Sequence, residues 1–181
     1  MDIREIARPY LERLARECDK TVNLSMLDKQ EMVYIDRIKV QSIREFNINI
    51  GDRIPVHNTA AGRAVLAYIE QGKLIGILKE LKKDSRTSRD IGRNGNKLLR
   101  ILYDVKVAGF AINDEEFLRG IRAIAVPVFS HQDIYYAINV VVASELVTVD
   151  QLKKEYAPKL IKIGKELSKA MGYQGQGRRE G

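Results

Sequence analysis

The sequence predicts one α+β domain, a single antiparallel sheet with helices packed mainly on one face. Three observations lead there. Apolar residues recur at three- and four-residue spacing at both ends and in the middle of the chain, as helices require, while several short segments alternate apolar with polar residues, as strands require. The strand-like segments fall in neighbouring pairs joined by short polar turns, which makes antiparallel hairpins. No repeat or linker divides the 181 residues, a length suited to one domain with a real core.

Each element has its own reason. Ile3, Ile6, Ala7, Tyr10, Leu11, Leu14 and Cys18 form one stripe of an amphipathic helix, and Pro9 either starts or kinks it. Val22, Leu24 and Met26 then alternate with polar neighbours, and "DKQE" turns the chain into "MVYIDRIKV", a first hairpin. "IREFNINIGDRIPV" continues extended, with a turn at Gly51-Asp52. Asn58 or Thr59 caps a helix over "AAGRAVLA" whose first turn carries only small side chains. Such a helix end suits a carboxylate or phosphate, although tight packing on a sheet explains the same small residues. "KLIGILKELKK" and "NKLLRILYDVKVAG" are two further helices, the second ending at Gly109. "IRAIAVPVF" and "IYYAINVVVA" make a second hairpin, and "TVDQ" is a capping box opening a last helix, irregular near Pro158.

Composition narrows the function. Hydrophobic residues are 45% and charged residues 30%, as in an ordinary globular protein, and no run is long enough for a membrane span or reads as a secretory signal. A cytoplasmic location follows as the expectation. The single cysteine, Cys18, offers neither a disulfide nor a CxxC site. The net charge of +7 is concentrated between Lys82 and Lys106, with eight basic residues against three acidic ones. "KKDSRTSRDIGRNGN" carries no aromatic on which a base could stack, so it reads as a solvated loop or subunit contact, with nucleic-acid contact as the alternative.

Catalytic signatures are missing: there is no GxSxG, no nucleophilic-cysteine motif, and His57 and His131 are too far apart for a paired metal-ligand spacing. No catalytic residue, metal or cofactor is assigned. His57 is expected to cap or pack, and His131 to sit exposed in the "SHQD" turn. Asp114, Glu115 and Glu116 precede "FLRG" and resemble an acid-rich first helical turn, so they are read as shaping a turn.

"IGDRIPVHNTAAGRAVLA" and "GFAINDEEFLRGIRAIAVPVF", in this order and spacing, resemble the C-terminal effector-binding domain of IclR-family transcriptional regulators. The resemblance runs from "ARPYLERLARECDKTVNLSMLD" to "ELSKAMGY". It implies a GAF/PAS-like (profilin-like) α+β fold over 1–173, with a curved antiparallel sheet and packed helices, and the polar "QGQGRREG" over 174–181 reads by itself as a disordered tail. The resemblance further implies a small-molecule pocket for an organic or aromatic acid. The backbone at Ala60 and Ala61 would hold the carboxylate, Asn113, Ala123, Asn139 and Val141 would line the pocket, and Ile43 and Phe46 would form its apolar wall. In acid-binding members the position of Asn113 is often Asp, that of Ala123 often Cys, and those of Asn139 and Val141 often Ser. The less polar set here implies an effector with a larger hydrophobic part than a two- or three-carbon acid.

The family also carries an N-terminal winged helix-turn-helix, which the resemblance finds missing from this chain. The expectation is therefore a fragment, or a stand-alone sensor, that forms homodimers or homotetramers and reaches operator DNA only through that missing domain. A stand-alone GAF-like enzyme acting on oxidised sulfur compounds would need reactive thiols, and Cys18 alone argues against it.

Overall fold

A computed structural model of the chain describes residues 2–40 and 47–175. Its centre is a six-stranded, wholly antiparallel curled sheet in the order β3-β2-β1-β6-β5-β4. The strands are β1 (Val22–Asp28), β2 (Glu31–Ile38), β3 (Arg53–Pro55), β4 (Ala111–Asp114), β5 (Ile121–Val128) and β6 (Tyr136–Ala143). The β1–β2 hairpin turns through Lys29 and Gln30, and β1 pairs with β6 so that the two predicted hairpins join into one surface.

Helix α1 (Ile3–Cys18) starts at an Asp2 cap and continues through Pro9 rather than beginning there. Its stripe of Ala7, Leu11, Leu14 and Cys18 is buried. The chain ends in α6 (Val149–Gln151), a π-turn (Leu152–Tyr156) and α7 (Ala157–Ala170), opened by a complete capping box between Thr148 and Gln151. The π-turn falls just before Pro158, where the missing N–H and the crowding ring disturb regular winding.

The helices cover both faces of the sheet, not mainly one. On one side α1 and α7 pack on Val22, Leu24, Ile124, Val126, Ile138 and Val140. On the other, α2 (Ala60–Leu66), α3 (Gln71–Leu81) and α5 (Asn96–Ala108) pack on Met32, Tyr34, Ala111, Ala125 and Ala137. The cause is visible in "YAINVVVA": a strand covered on two sides is apolar on both, and seven of the eight residues of β6 are buried. The two faces differ in size. Branched side chains line the α1/α7 face, whereas alanines line the other and let α2 come close.

The basic stretch is not a solvated loop. Asp84 caps a short helix, α4 (Ser85–Ile91), by accepting a hydrogen bond from the Thr87 amide at 2.7 Å, and Ile91, Gly95 and Leu98 are buried as the chain enters α5. The apolar spacing of Ile91, Leu98 and Leu102 holds this segment against the core while its charges face outward.

Candidate functional site

The site is built where α2 meets the alanine-lined face. Thr59 is the cap: its hydroxyl donates to the Pro55 carbonyl at 2.5 Å and accepts from the Gly62 amide at 3.2 Å. Gly62 lies against the backbone of Val56, where a Cβ would come within 2.3 Å of the Val56 Cα. Tight packing therefore explains this glycine, as the plainer sequence reading held. Ala60 and Ala61 are each 2% exposed, so the start of this seven-residue helix is enclosed rather than open to solvent.

Ala60, Ala61, Asn113, Ala123, Asn139 and Val141, expected from three separate stretches of sequence, converge on one cavity. Strand register brings the last four together: Asn113 is paired with Ala123 across β4 and β5, and Ala123 with Val141 across β5 and β6. Tyr34, Ile54, Thr59, Phe117 and Ile121 complete the lining and were not expected from the sequence. Ile43 and Phe46, assigned to the apolar wall, lie outside the described residues. The cavity measures about 20 Å³, room for roughly one water molecule.

Its polar groups are unequal. Asn113 is committed to structure: its Nδ2 donates to the Asn58 carbonyl, and its Oδ1 accepts from the Glu116 amide at 3.2 Å and the Phe117 amide at 3.4 Å. An aspartate could not make the first of these bonds, which gives the asparagine its own reason. Asn139 is 2% exposed, and its Oδ1 has no partner. Burial pushes the Tyr34 phenol far up, opposed by a hydrogen bond with the Asn139 side chain, so Tyr34 is a neutral donor at any physiological pH. One strand over, on the same face, Asn23 sits opposite Asn139 and Ser25 opposite Tyr34. Both side-chain atoms of Asn23 and the hydroxyl of Ser25 are buried without a hydrogen-bond partner.

The three acids shape turns, but without the helix they were expected to open. Asp114 pairs with Arg122 at 2.6 Å. Glu115, at a positive φ of 58°, accepts from the Gly120 amide at 2.7 Å and the Ser144 hydroxyl at 3.0 Å. Glu116 reaches back to Arg63 of α2, whose guanidinium is buried and whose Nε also donates to the His57 carbonyl at 2.9 Å. Burial raises the Glu116 carboxyl, and the Arg63 guanidinium outweighs it, leaving the group below the usual glutamate range. Nothing in the sequence pattern marked Arg63, a lone cation among alanines.

His57 is buried and packs, as expected, though Thr59 is the cap. His131 is exposed and its Nδ1 lies 2.9 Å from the Met171 carbonyl. Among the described residues no group of three or more His, Cys, Asp or Glu could hold a metal ion, and no helix is long and apolar enough to cross a membrane. Cys18 is buried, and desolvation raises its thiol to about 11, the opposite of an activated thiolate.

Known proteins resemble this chain throughout. A family model described as "Bacterial transcriptional regulator IclR C-terminal" matches residues 1–169. The HTH-type transcriptional regulator XynR of Escherichia coli is 30% identical over 96% of the chain, which covers 68% of that protein. The Pca regulon regulatory protein of Pseudomonas putida is 28% identical over 89% of the chain, which covers 56% of that protein. The chain thus spans between about half and about two thirds of these relatives. Among solved structures, the C-terminal domain of the E. coli transcriptional regulator KdgR superposes with a TM-score of 0.79 at 29% identity, covering 96% of this chain and all of that one. The Thermotoga maritima IclR gives 0.82 at 27% identity over 96% of this chain and 70% of that one.

Proposed function

The chain belongs to the family of bacterial transcriptional regulators with an IclR C-terminal domain, and from that premise we propose that it senses a small organic acid in the cavity between α2 and the sheet. The relatives carry the names of regulators, not enzymes, and the buried, raised thiol of Cys18 gives no support to a thiol-based reaction.

One observation carries the assignment of the site. Six residues from three stretches of sequence share a cavity whose sheet-side wall includes Asn139 with an unpaired buried oxygen. Native folds seldom leave such atoms unpaired, and a bound guest is one way to satisfy them. The guest's carboxylate would be met by the Tyr34 hydroxyl and the amides of Ala60 and Ala61. Ala123, Val141, Ile121 and Phe117 would take its apolar part. Since the cavity as it stands holds about one water, the wall must yield, and Phe117 is the piece best placed to do so, on the irregular stretch between β4 and β5.

In this reading residues 1–173 form the sensing unit, in the cytoplasm. Occupancy alters how two or four copies associate, and operator DNA is read by a winged helix-turn-helix outside this chain. Thermal unfolding with a panel of acids tests it. A ligand present at a hundredfold excess over its Kd stabilises by about 2.7 kcal/mol. Larger, partly apolar acids should raise the midpoint, and Asn139→Leu should abolish the shift. Stabilisation by glyoxylate or pyruvate and by no larger acid would overturn the preference for an apolar guest.

A further inference from the structure

Beyond Phe117 lies a second hollow of about 490 Å³, in the range of small-molecule sites, where the inner cavity is not. Phe117 lines both. The outer hollow is walled by His57 and Asn58 before α2, by α4, by the start of α5 and by Glu116. Its base is firm: Arg63, His57, Ile91 and Leu98 are buried, and Arg63 is locked to Glu116. Its rim is different. Arg86 and Lys97 are exposed and form no ion pair among the described residues, while Asp90 lies 3.8 Å from His57. Two polar atoms of its lining residues, Nδ1 of His57 and Oδ1 of Asn58, are fully buried and have no hydrogen-bond partner, so they belong to the base and not to the accessible rim.

Free cations converging on a hollow attract an anion, and charge-assisted hydrogen bonds to it are stronger than neutral ones. The exposed carboxylate of Asp90, an acceptor only, calls for a hydroxyl donor. Ile91, Leu98 and Ile101 offer a short apolar strip for a carbon chain. We propose that this hollow is a second ligand site, taking the oxyanion of a small hydroxylated molecule across Arg86 and Lys97, with a hydroxyl towards Asp90. The basic stretch of the sequence then serves a small anion rather than a nucleic acid. A guest there touches Phe117 and Asn58, the two points that Asn113 ties together, so it has a physical route to the inner cavity.

The oxyanion can be a carboxylate or a phosphate ester, and glycerate and glycerol phosphate separate the two on nearly the same carbon frame. Amide NMR of the chain is followed during titration with each, and with sodium chloride at matched ionic strength. One of the two should shift Asn58, Thr87, Leu98 and Phe117 saturably, and the tighter of them identifies the source. Replacing the exposed pair, Arg86→Ala with Lys97→Ala, should weaken it roughly tenfold or more with the spectrum otherwise kept. Asn139→Leu should leave it unchanged. The proposal is overturned if neither probe saturates, if salt reproduces the shifts, or if the double variant binds as tightly. Loss of binding in Asn139→Leu alone would place the guest in the inner cavity instead.

Discussion

Arg63, buried in the small-residue helix α2, grips Glu116 with both ends of its guanidinium, Nη1 to Oε1 at 2.9 Å and Nη2 to Oε2 at 2.6 Å. Both residues line the outer hollow. The pair also holds the β4–β5 connection against the helix. Glu116→Gln removes the charge and leaves a buried guanidinium half-satisfied, which should cost about 1–2 kcal/mol after allowing for the partly exposed carboxylate. Arg63→Ala should cost more, since it also opens a void. Urea unfolding midpoints of the two variants check the order, and a Glu116→Gln variant as stable as the parent would show the pair to be idle.

Gly62→Ala should be among the most damaging small substitutions in the chain. The new methyl would meet the Val56 backbone, which cannot rotate away as a side chain would. Overpacking of this kind costs about 1–3 kcal/mol and sometimes more. A large fall in thermal midpoint is expected, whereas Gly76→Ala, with nothing within 4 Å of the new carbon, should be neutral or stabilising.

His57 makes stability depend on pH. Burial lowers its pKa below the usual histidine value, with the Asp90 carboxylate pulling the other way. Below a pH of about 6.5 the unfolded chain takes up a proton that the folded chain declines, so stability falls as pH drops from there towards the lower folded pKa. Above that window the contribution is constant. Asp90→Asn should lower the folded pKa further and widen the window. Imidazole NMR titration of both forms reads this directly, and an upward shift in the variant would contradict it.

Asn23→Val should stabilise the protein by about 1 kcal/mol. Both polar atoms of Asn23 are buried without partners in an inner strand of the sheet, so valine would remove their desolvation cost and suits a strand backbone. Denaturant unfolding decides it. A loss of stability would mean that the asparagine is satisfied by something bound beside it.

Much of the domain could be read along the chain because its cause is local. The stripe of α1, the alternation of β1, the capping box at Thr148 and the glycine ending α5 each depend on residues within a turn or two of one another. The resemblance named six of the eleven residues that line the cavity, and the strand register shows why four of them meet. By contrast, the basic stretch misled because Ile91 is the one apolar residue of α4, too little to reveal a helix until a core is there to receive it.

The sequence alone settled most of the helices and strands, that neighbouring strands pair as hairpins, and which family pattern they follow, since periodicity, turn chemistry and motif spacing are written in neighbouring residues. Only the tertiary structure decided that helices cover both faces, that Arg63 and Glu116 pair across fifty-odd residues, and that a tight inner cavity stands beside a larger polar one. Those are properties of distances between remote segments, and packing sets such distances through the bulk of every intervening side chain.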